Sequence, residues 1–228
     1  SVYWPEPEIQ DGLLSVGGEE HQHLRVSRTG VGDGVEVFDG EGRVWEGWVA
    51  AVRSTSTEIR VHVQRSLPPP VEIVLAQAMI KNTAFEWVLE KAVEVGVTRI
   101  IPFRAGRSNV SGPSREKRWK RIIVEAAKQS KHYHIPRLEP VTDFGQVLAA
   151  DGGSKIVFAL ESEGPLESAL SGSPVVYMIG PEGGWAPEEL EAARGQGFVA
   201  VRLGPHIMRA ETAAIVAGGL IAHQLGVL

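Results

Sequence analysis

VVYMIGPEGGWAPEELEAARGQGFVAVRLGP, residues Val175 to Pro205, carries the fold in one run. The apolar stretch Val175–Met178 has the length of a strand buried on both faces, and the glycine-rich turn Ile179–Gly184 ends it. Pro187 suits the first turn of a helix, which the pattern carries to Arg194; Val199 to Leu203 then reads as a second strand. Strand, loop, helix and strand form the repeating unit of an α/β domain with a mostly parallel sheet.

The alternation continues outward in both directions. Lys155–Leu160, Thr98–Phe103 and Val71–Gln77 read as strands. Thr83 with Glu86 three residues on makes a capping box for a helix to Val95, closed by Gly96. Ser114 is placed to cap a further helix in which Trp119, Ile122, Ile123, Ala126 and Ala127 keep helical spacing. That spacing leaves Lys117, Lys120, Arg121, Lys128 and Lys131 on or beside the solvent side. The last helix, Ala210 to about His223, is apolar all round, so it must be covered by core alone or by core and a second subunit; a homodimer is the favoured expectation.

Before Ser66 the period is different. Val35–Phe38, Val44–Val52 and Ile59–Val63 are short strands with turn residues between them, the spacing of a small β-barrel or sandwich. Leu67-Pro68-Pro69-Pro70 is stiff and cannot continue a strand, so the expected domains are 1–68 and 69–228.

Composition removes several function classes. There is no cysteine among 228 residues, which excludes disulfides, thiolate metal sites and Cys nucleophiles. No stretch approaches the roughly 20 apolar residues of a membrane helix, and no basic region followed by an apolar run opens the sequence, so a cytoplasmic location is expected. The pairs His21 with His23 and His132 with His134 have i,i+2 spacing, which suits a strand, and lack convergent partners; no metal site is expected. Net charge is -5, yet between Arg99 and Arg137 eleven Lys or Arg face only Glu116 and Glu125. A cluster of that density in an acidic protein suggests contact with an RNA backbone, against the plainer reading of a solvated helix face.

The glycine loop limits its own ligand. Dinucleotide folds place G-x-G-x-x-G after the first strand, whereas Gly180, Gly183 and Gly184 come late, and the Walker pattern is absent. Glu182 in the middle of the loop would repel a phosphate. A ligand with a nucleoside, no phosphate and a positive centre fits better, and S-adenosylmethionine has those properties. The alternative is a tight turn with Glu182 solvated and Glu188 and Glu189 complementing the helix dipole.

MIGPEGGWAPEELEAARGQGFVAVRLGPHIMRAETAA, with HLRVSRTGVGDGVEVFDGEG, KAVEVGVTRIIPFRAGRS and EAAKQS before it in that order, resembles the RsmE family of 16S ribosomal RNA (uracil-N3)-methyltransferases in the SPOUT superfamily. The resemblance implies a PUA-like N-terminal RNA-binding domain, a C-terminal α/β domain with a trefoil knot, and a homodimer acting on 16S rRNA or the small ribosomal subunit. It places S-adenosylmethionine on Ile179, Gly180, Pro181, Glu182, Gly183 and Gly184, on Leu203, Gly204, Ile207, Met208, Arg209 and Ala213, and on Leu160 and Glu161. His206, Met208 and Ala210 stand where the family mostly carries Arg, Leu and Thr. Arg25 and Arg28 are the matched RNA-binding candidates in the first domain; Lys81, Arg107, Lys128 and Lys131 are those of the second.

The residues also restrict the chemistry. Methylation at C5 of a pyrimidine usually needs a Cys to attack C6, so a nitrogen or oxygen acceptor is favoured. At uracil N3, alignment and stabilisation of a developing anion supply much of the rate. Arg209, between the LGP turn and the last helix, is the candidate for that charge, the alternative being a structural salt bridge to Glu211 or Glu182. Glu211 is either a general base or a helix-dipole partner. The rival functions are RNA 2'-O-methylation and a non-catalytic RNA-binding assembly factor.

Overall fold

The computed structural model describes residues 1–108, 115–162 and 164–228, and it divides into two compact units. One comprises Ser1–Pro69 with Ala127–Ile135, the other Pro70–Ala126 with Pro136–Leu228. The insertion of 127–135 into the first unit is a feature that reading along the chain does not anticipate.

The first unit contains β1 (Val2–Tyr3), β2 (Ile9–Gln10), β3 (Leu13–Gly17), α1 (Gly18–Val26), β4 (Gly34–Phe38), β5 (Arg43–Val52) and β6 (Ser56–Ser66). They form one sheet in the order β1-β4-β5-β6-β3-β2, with β1 parallel to β4 and every other pair antiparallel. Alternation along the strands sends Leu14, Val16, Val35, Val37, Trp45, Val49 and Ile59 into a core that also takes Leu24 of α1. The β4–β5 turn is built by Asp39, whose carboxylate accepts from the backbone N–H of Glu41 (2.8 Å) and of Arg43 (3.0 Å). Helix α1 overturns the strand reading of the first histidine pair. On a helix, residues two apart diverge, so His21 is buried with Nδ1 2.8 Å from Thr57 Oγ1, while His23 is exposed.

The second unit contains β7 (Ile73–Ala78), α2 (Asn82–Glu94), β8 (Arg99–Arg104), α3 (Glu116–Ser130, its last residues counted with the first unit), β9 (Arg137–Leu138), β10 (Thr142–Asp143) and α4 (Phe144–Leu148). It continues through β11 (Ser154–Phe158), α5 (Leu166–Ala169), β12 (Val175–Ile179), α6 (Pro187–Gly195), β13 (Val199–Val201) and α7 (Ala210–Gln224). The sheet order is β10-β8-β7-β12-β11-β13, with β9 beside β8, and each described pairing is parallel. Every residue of β7 and β12 is buried, as a central strand covered on both faces requires. One cluster packs Leu190 and Ala193 of α6 on Ala76, Val176 and Met178. Tyr177 is fully buried, its hydroxyl donates to the Ala214 carbonyl of α7 (3.3 Å), and desolvation holds that phenol above its ordinary range. Gly218 permits this approach, since a Cβ there would lie 2.6 Å from the Tyr177 hydroxyl.

One helix start differs from expectation. Thr83 lies inside α2, and Lys81, the residue before the helix, provides no side-chain cap. Glu86 instead takes both nitrogens of the Arg118 fork at 2.6 and 2.8 Å, a charge-assisted pair stronger than a capping bond. Its carboxyl is therefore held below the usual range, chiefly by the Arg118 hydrogen bond. Ser114, the expected cap of α3, falls outside the described residues. Helix α7 is not covered all round: Ala214, Ala217, Gly218 and Ile221 are buried, while Leu220 remains exposed.

Candidate active site

Strands β12, β11 and β13 are neighbours, so the loops after Ile179, Phe158 and Val201 leave the sheet side by side at its carboxyl edge, where parallel α/β sheets bind ligands. After β12 the chain turns tightly, with Gly184 donating to the Pro181 carbonyl (2.9 Å). Gly184 has φ +69°, a conformation few side-chain-bearing residues adopt. Ile179, Gly180 and Pro181 are buried; Glu182, Gly183 and Gly184 are exposed.

Neighbouring segments anchor this turn. The Lys81 backbone N–H points to Glu182 Oε1 (3.4 Å), Arg107 donates to the Gly183 carbonyl (3.2 Å), and the indole N–H of Trp185 donates to the Phe158 carbonyl (2.8 Å). Glu189 does more than complement a dipole, because its two carboxylate oxygens accept from the backbone N–H of Gly106 (2.8 Å) and of Ala186 (2.9 Å). Carboxyl ends of β7, β8 and β11 thus converge on the loop that follows β12.

The third loop is shaped by Arg202, whose guanidinium donates to the carbonyls of Gly204 (2.7 Å) and Pro205 (3.0 Å). Beyond it Leu203 and Met208 are half-buried, and Ile207 is exposed. Arg209 precedes α7, and its carbonyl accepts from Ala213. Its side chain is 86% exposed and lies 4.0 Å from Glu211, which is 16% exposed in the first turn of α7. Among the described residues no ion pair joins Arg209 to Glu182. Leu160 and Glu161 are exposed at the end of β11.

Three residues escaped sequence reading. Ser162 is buried beside Glu161 with an Oγ that has no hydrogen-bond partner among the described residues, and Gln77 is fully buried in register with Ile179 with its amide oxygen likewise unpartnered among them. The signal for Gln77 was visible, since a lone polar residue interrupts the apolar run of β7. Trp185 carried none beyond its place after the glycines.

The basic residues separate into distinct groups. Lys128 is a correction: it is buried, and its ammonium lies 2.9 Å from Glu20 of α1, because the last turn of α3 rotates it inward. Lys131 is exposed and pairs with Glu36 (3.0 Å). Burial alone would raise the Glu36 carboxyl, but the hydrogen bond and charge of Lys131 hold it below the usual range. Arg115 and Arg118 turn to Glu86, and Lys120 to Glu116. Arg104, Lys117 and Arg121 are exposed and make no ion pair among the described residues, while Arg25, Arg28 and Lys81 are also exposed. Among the described residues no cluster of His, Asp or Glu could hold a metal ion, and no helix is long and apolar enough to cross a membrane.

Comparison with known proteins agrees with this geometry. The sequence model of an RNA methyltransferase domain matches residues 67–222. The chain is 32% identical over 227 residues to the ribosomal RNA small subunit methyltransferase E of Synechocystis, covering 95% of this chain and 74% of that one. It is 34% identical over 224 residues to the enzyme of that name from Mycobacterium tuberculosis, with 90% and 84% covered. A crystal structure of the Neisseria gonorrhoeae ribosomal RNA small subunit methyltransferase E bound to S-adenosyl methionine superimposes with a TM-score of 0.91 at 27% identity, over 98% of this chain and 96% of that one.

Proposed function

The chain belongs to the RNA methyltransferase domain family, and from that premise we propose that it methylates N3 of a uridine in small-subunit ribosomal RNA, with S-adenosylmethionine as donor. The observation that carries this reading is the convergence of three neighbouring loops at one sheet edge, in a chain similar throughout to methyltransferases of small-subunit rRNA. The residues fit the donor. Added Cβ atoms at Gly184 and Gly204 would meet nothing within 4 Å, so the loops leave room for a ligand, and Glu182 and the unpartnered Ser162 hydroxyl offer acceptors to a cationic, hydroxyl-bearing one.

When bound, S-adenosylmethionine supplies an electrophilic methyl group on a sulfonium centre. The chain's own contribution is placement and charge. Glu182, aimed at by the Lys81 N–H, brings a carboxylate to a loop that would repel a phosphate. Arg209, exposed and only loosely opposed by Glu211, is free to meet the negative charge that develops on a uracil losing its N3 proton. Glu211 steadies the start of α7 or takes that proton.

The finer architecture belongs to the same reading. The N-terminal residues 1–68 form a PUA-like barrel that contacts RNA through Arg25 and Arg28, and residues 69–228 form a knotted SPOUT domain whose Lys81 and Arg107 meet the substrate. A homodimer would cover the exposed Leu220 of α7. Incubating the protein with small-subunit rRNA and donor, then digesting the RNA for nucleoside mass spectrometry, tests the function. 3-Methyluridine is expected. 2'-O-Methylated nucleoside would select ribose methylation, and absence of any product together with absence of donor binding would leave an RNA-binding factor.

A further inference from the structure

We infer that Trp185 is a positioning residue that locks two of the donor-binding loops into register with each other, an inference that rests on the donor site proposed above. The loops after β11 and β12 leave adjacent strands, and strand pairing ends at Phe158 and Ile179. At that edge the indole N–H of Trp185 donates to the carbonyl of Phe158, the residue from which the β11 loop departs, at 2.8 Å, and no other side-chain hydrogen bond ties the segment after β12 to β11 or its loop among the described residues. The Pro181–Gly184 turn folds the chain so that the indole comes back over Gly180, where an added Cβ would stand 2.9 Å and 3.0 Å from ring atoms. Behind it the ring lies nearly parallel to Phe103 (6.1 Å between centroids, 13°) and inclined against Phe144 (5.8 Å). The indole is therefore fixed by aromatic packing, and its one polar atom is spent on the neighbouring loop.

A smaller aromatic would keep the packing and lose the link. That separates positioning from bulk stability, and Trp185→Phe is the corresponding variant. Donor affinity by calorimetry, affinity for small-subunit rRNA, steady-state constants and ligand-free melting would be measured on wild type and variant. The expected result is donor binding weakened about tenfold, equivalent to about 1.4 kcal/mol, with KM for the donor raised, kcat little changed, and RNA affinity and melting temperature preserved. Equal donor affinity in the two proteins would overturn the inference. So would a parallel fall in donor affinity, RNA affinity and melting temperature, which would mark a general packing role. Failure of the wild type to bind donor would overturn the proposed function and this inference with it; binding by wild type that the variant matches would overturn the inference alone.

Discussion

Replacing Lys128 with Met asks whether a charge in the basic segment faces RNA or the protein interior. The ammonium lies 2.9 Å from Glu20 Oε1, and the side chains are 5% and 14% exposed respectively. Met preserves the length and apolar stem of Lys while removing the charge. What remains is a carboxylate largely out of water, one of whose oxygens, Oε2, already has no hydrogen-bond partner among the described residues. Deleting one member of a buried pair costs about 3–5 kcal/mol. Glu20 retains some contact with water, so the lower end, about 3 kcal/mol, applies. In a chain of this size each kcal/mol moves the melting temperature by about 2–4 °C, giving an expected fall of about 6–12 °C.

The assay is thermal and urea unfolding, paired with rRNA binding across a range of salt. The variant should melt early, and at temperatures where it is folded its salt slope should equal that of wild type, because no phosphate contact has been lost. Adding Glu20→Gln should recover part of the stability, since no uncompensated charge is then left buried. Unchanged melting together with a salt slope reduced by about one would refute the reasoning and return Lys128 to the RNA surface.

Gly180→Ala should lower melting temperature and donor affinity together, because a Cβ at 2.9 Å from the Trp185 ring forces a repacking that costs about 1–3 kcal/mol; calorimetry and melting check it, and wild-type values in both would contradict the packing. Arg209→Ala should reduce kcat and kcat/KM in step by about 10²–10³-fold while melting temperature holds, given how exposed the guanidinium is and how loose its contact with Glu211. Full activity would end its catalytic role. Glu86→Gln should destabilise the protein near neutral pH and not in acid. The Arg118 pair depresses the folded-state pKa of Glu86, so its contribution is complete above the ordinary Glu range of about 4.3 and is lost as pH falls through the lower folded value. A stability difference that persists undiminished into acid well below the ordinary Glu range would contradict this.

The α/β unit was legible because parallel strands buried on both faces are written as unbroken apolar runs, and β12 and α7 fall within a residue of where those runs place them. The helix starts were less so. Thr83 and Glu86 have the spacing of a capping box, yet sequence separation does not show that Arg118, 32 residues away, competes for the same carboxylate and wins by offering two charged donors. The short strands β9 and β10 were invisible for a different reason: two residues carry no period, and their pairing with β8 is supplied entirely by the neighbouring strand.

For the site, the glycine turn announced itself, while the groups that aim it did not. The Lys81 backbone and the Arg107 guanidinium reach it from β7 and β8, and the Phe158 carbonyl of β11 holds the Trp185 that follows it, and none of these contacts has a fixed sequence offset. The basic segment shows the converse difficulty, because a count of charges does not reveal where each is directed. Arg99, Arg115, Arg118, Lys120, Lys128, Lys131 and Arg137 each face a carboxylate, and Arg107 holds the Gly183 carbonyl. Among the described residues the charges left unopposed are Arg104, Lys117 and Arg121, two of them one turn apart on α3. Exposed ion pairs are weak and exchange readily for phosphate, so Lys120 and Lys131 can still turn outward to RNA, whereas the buried Lys128 cannot without unfolding its surroundings. An RNA backbone crossing this segment would therefore meet the exposed face of α3 first.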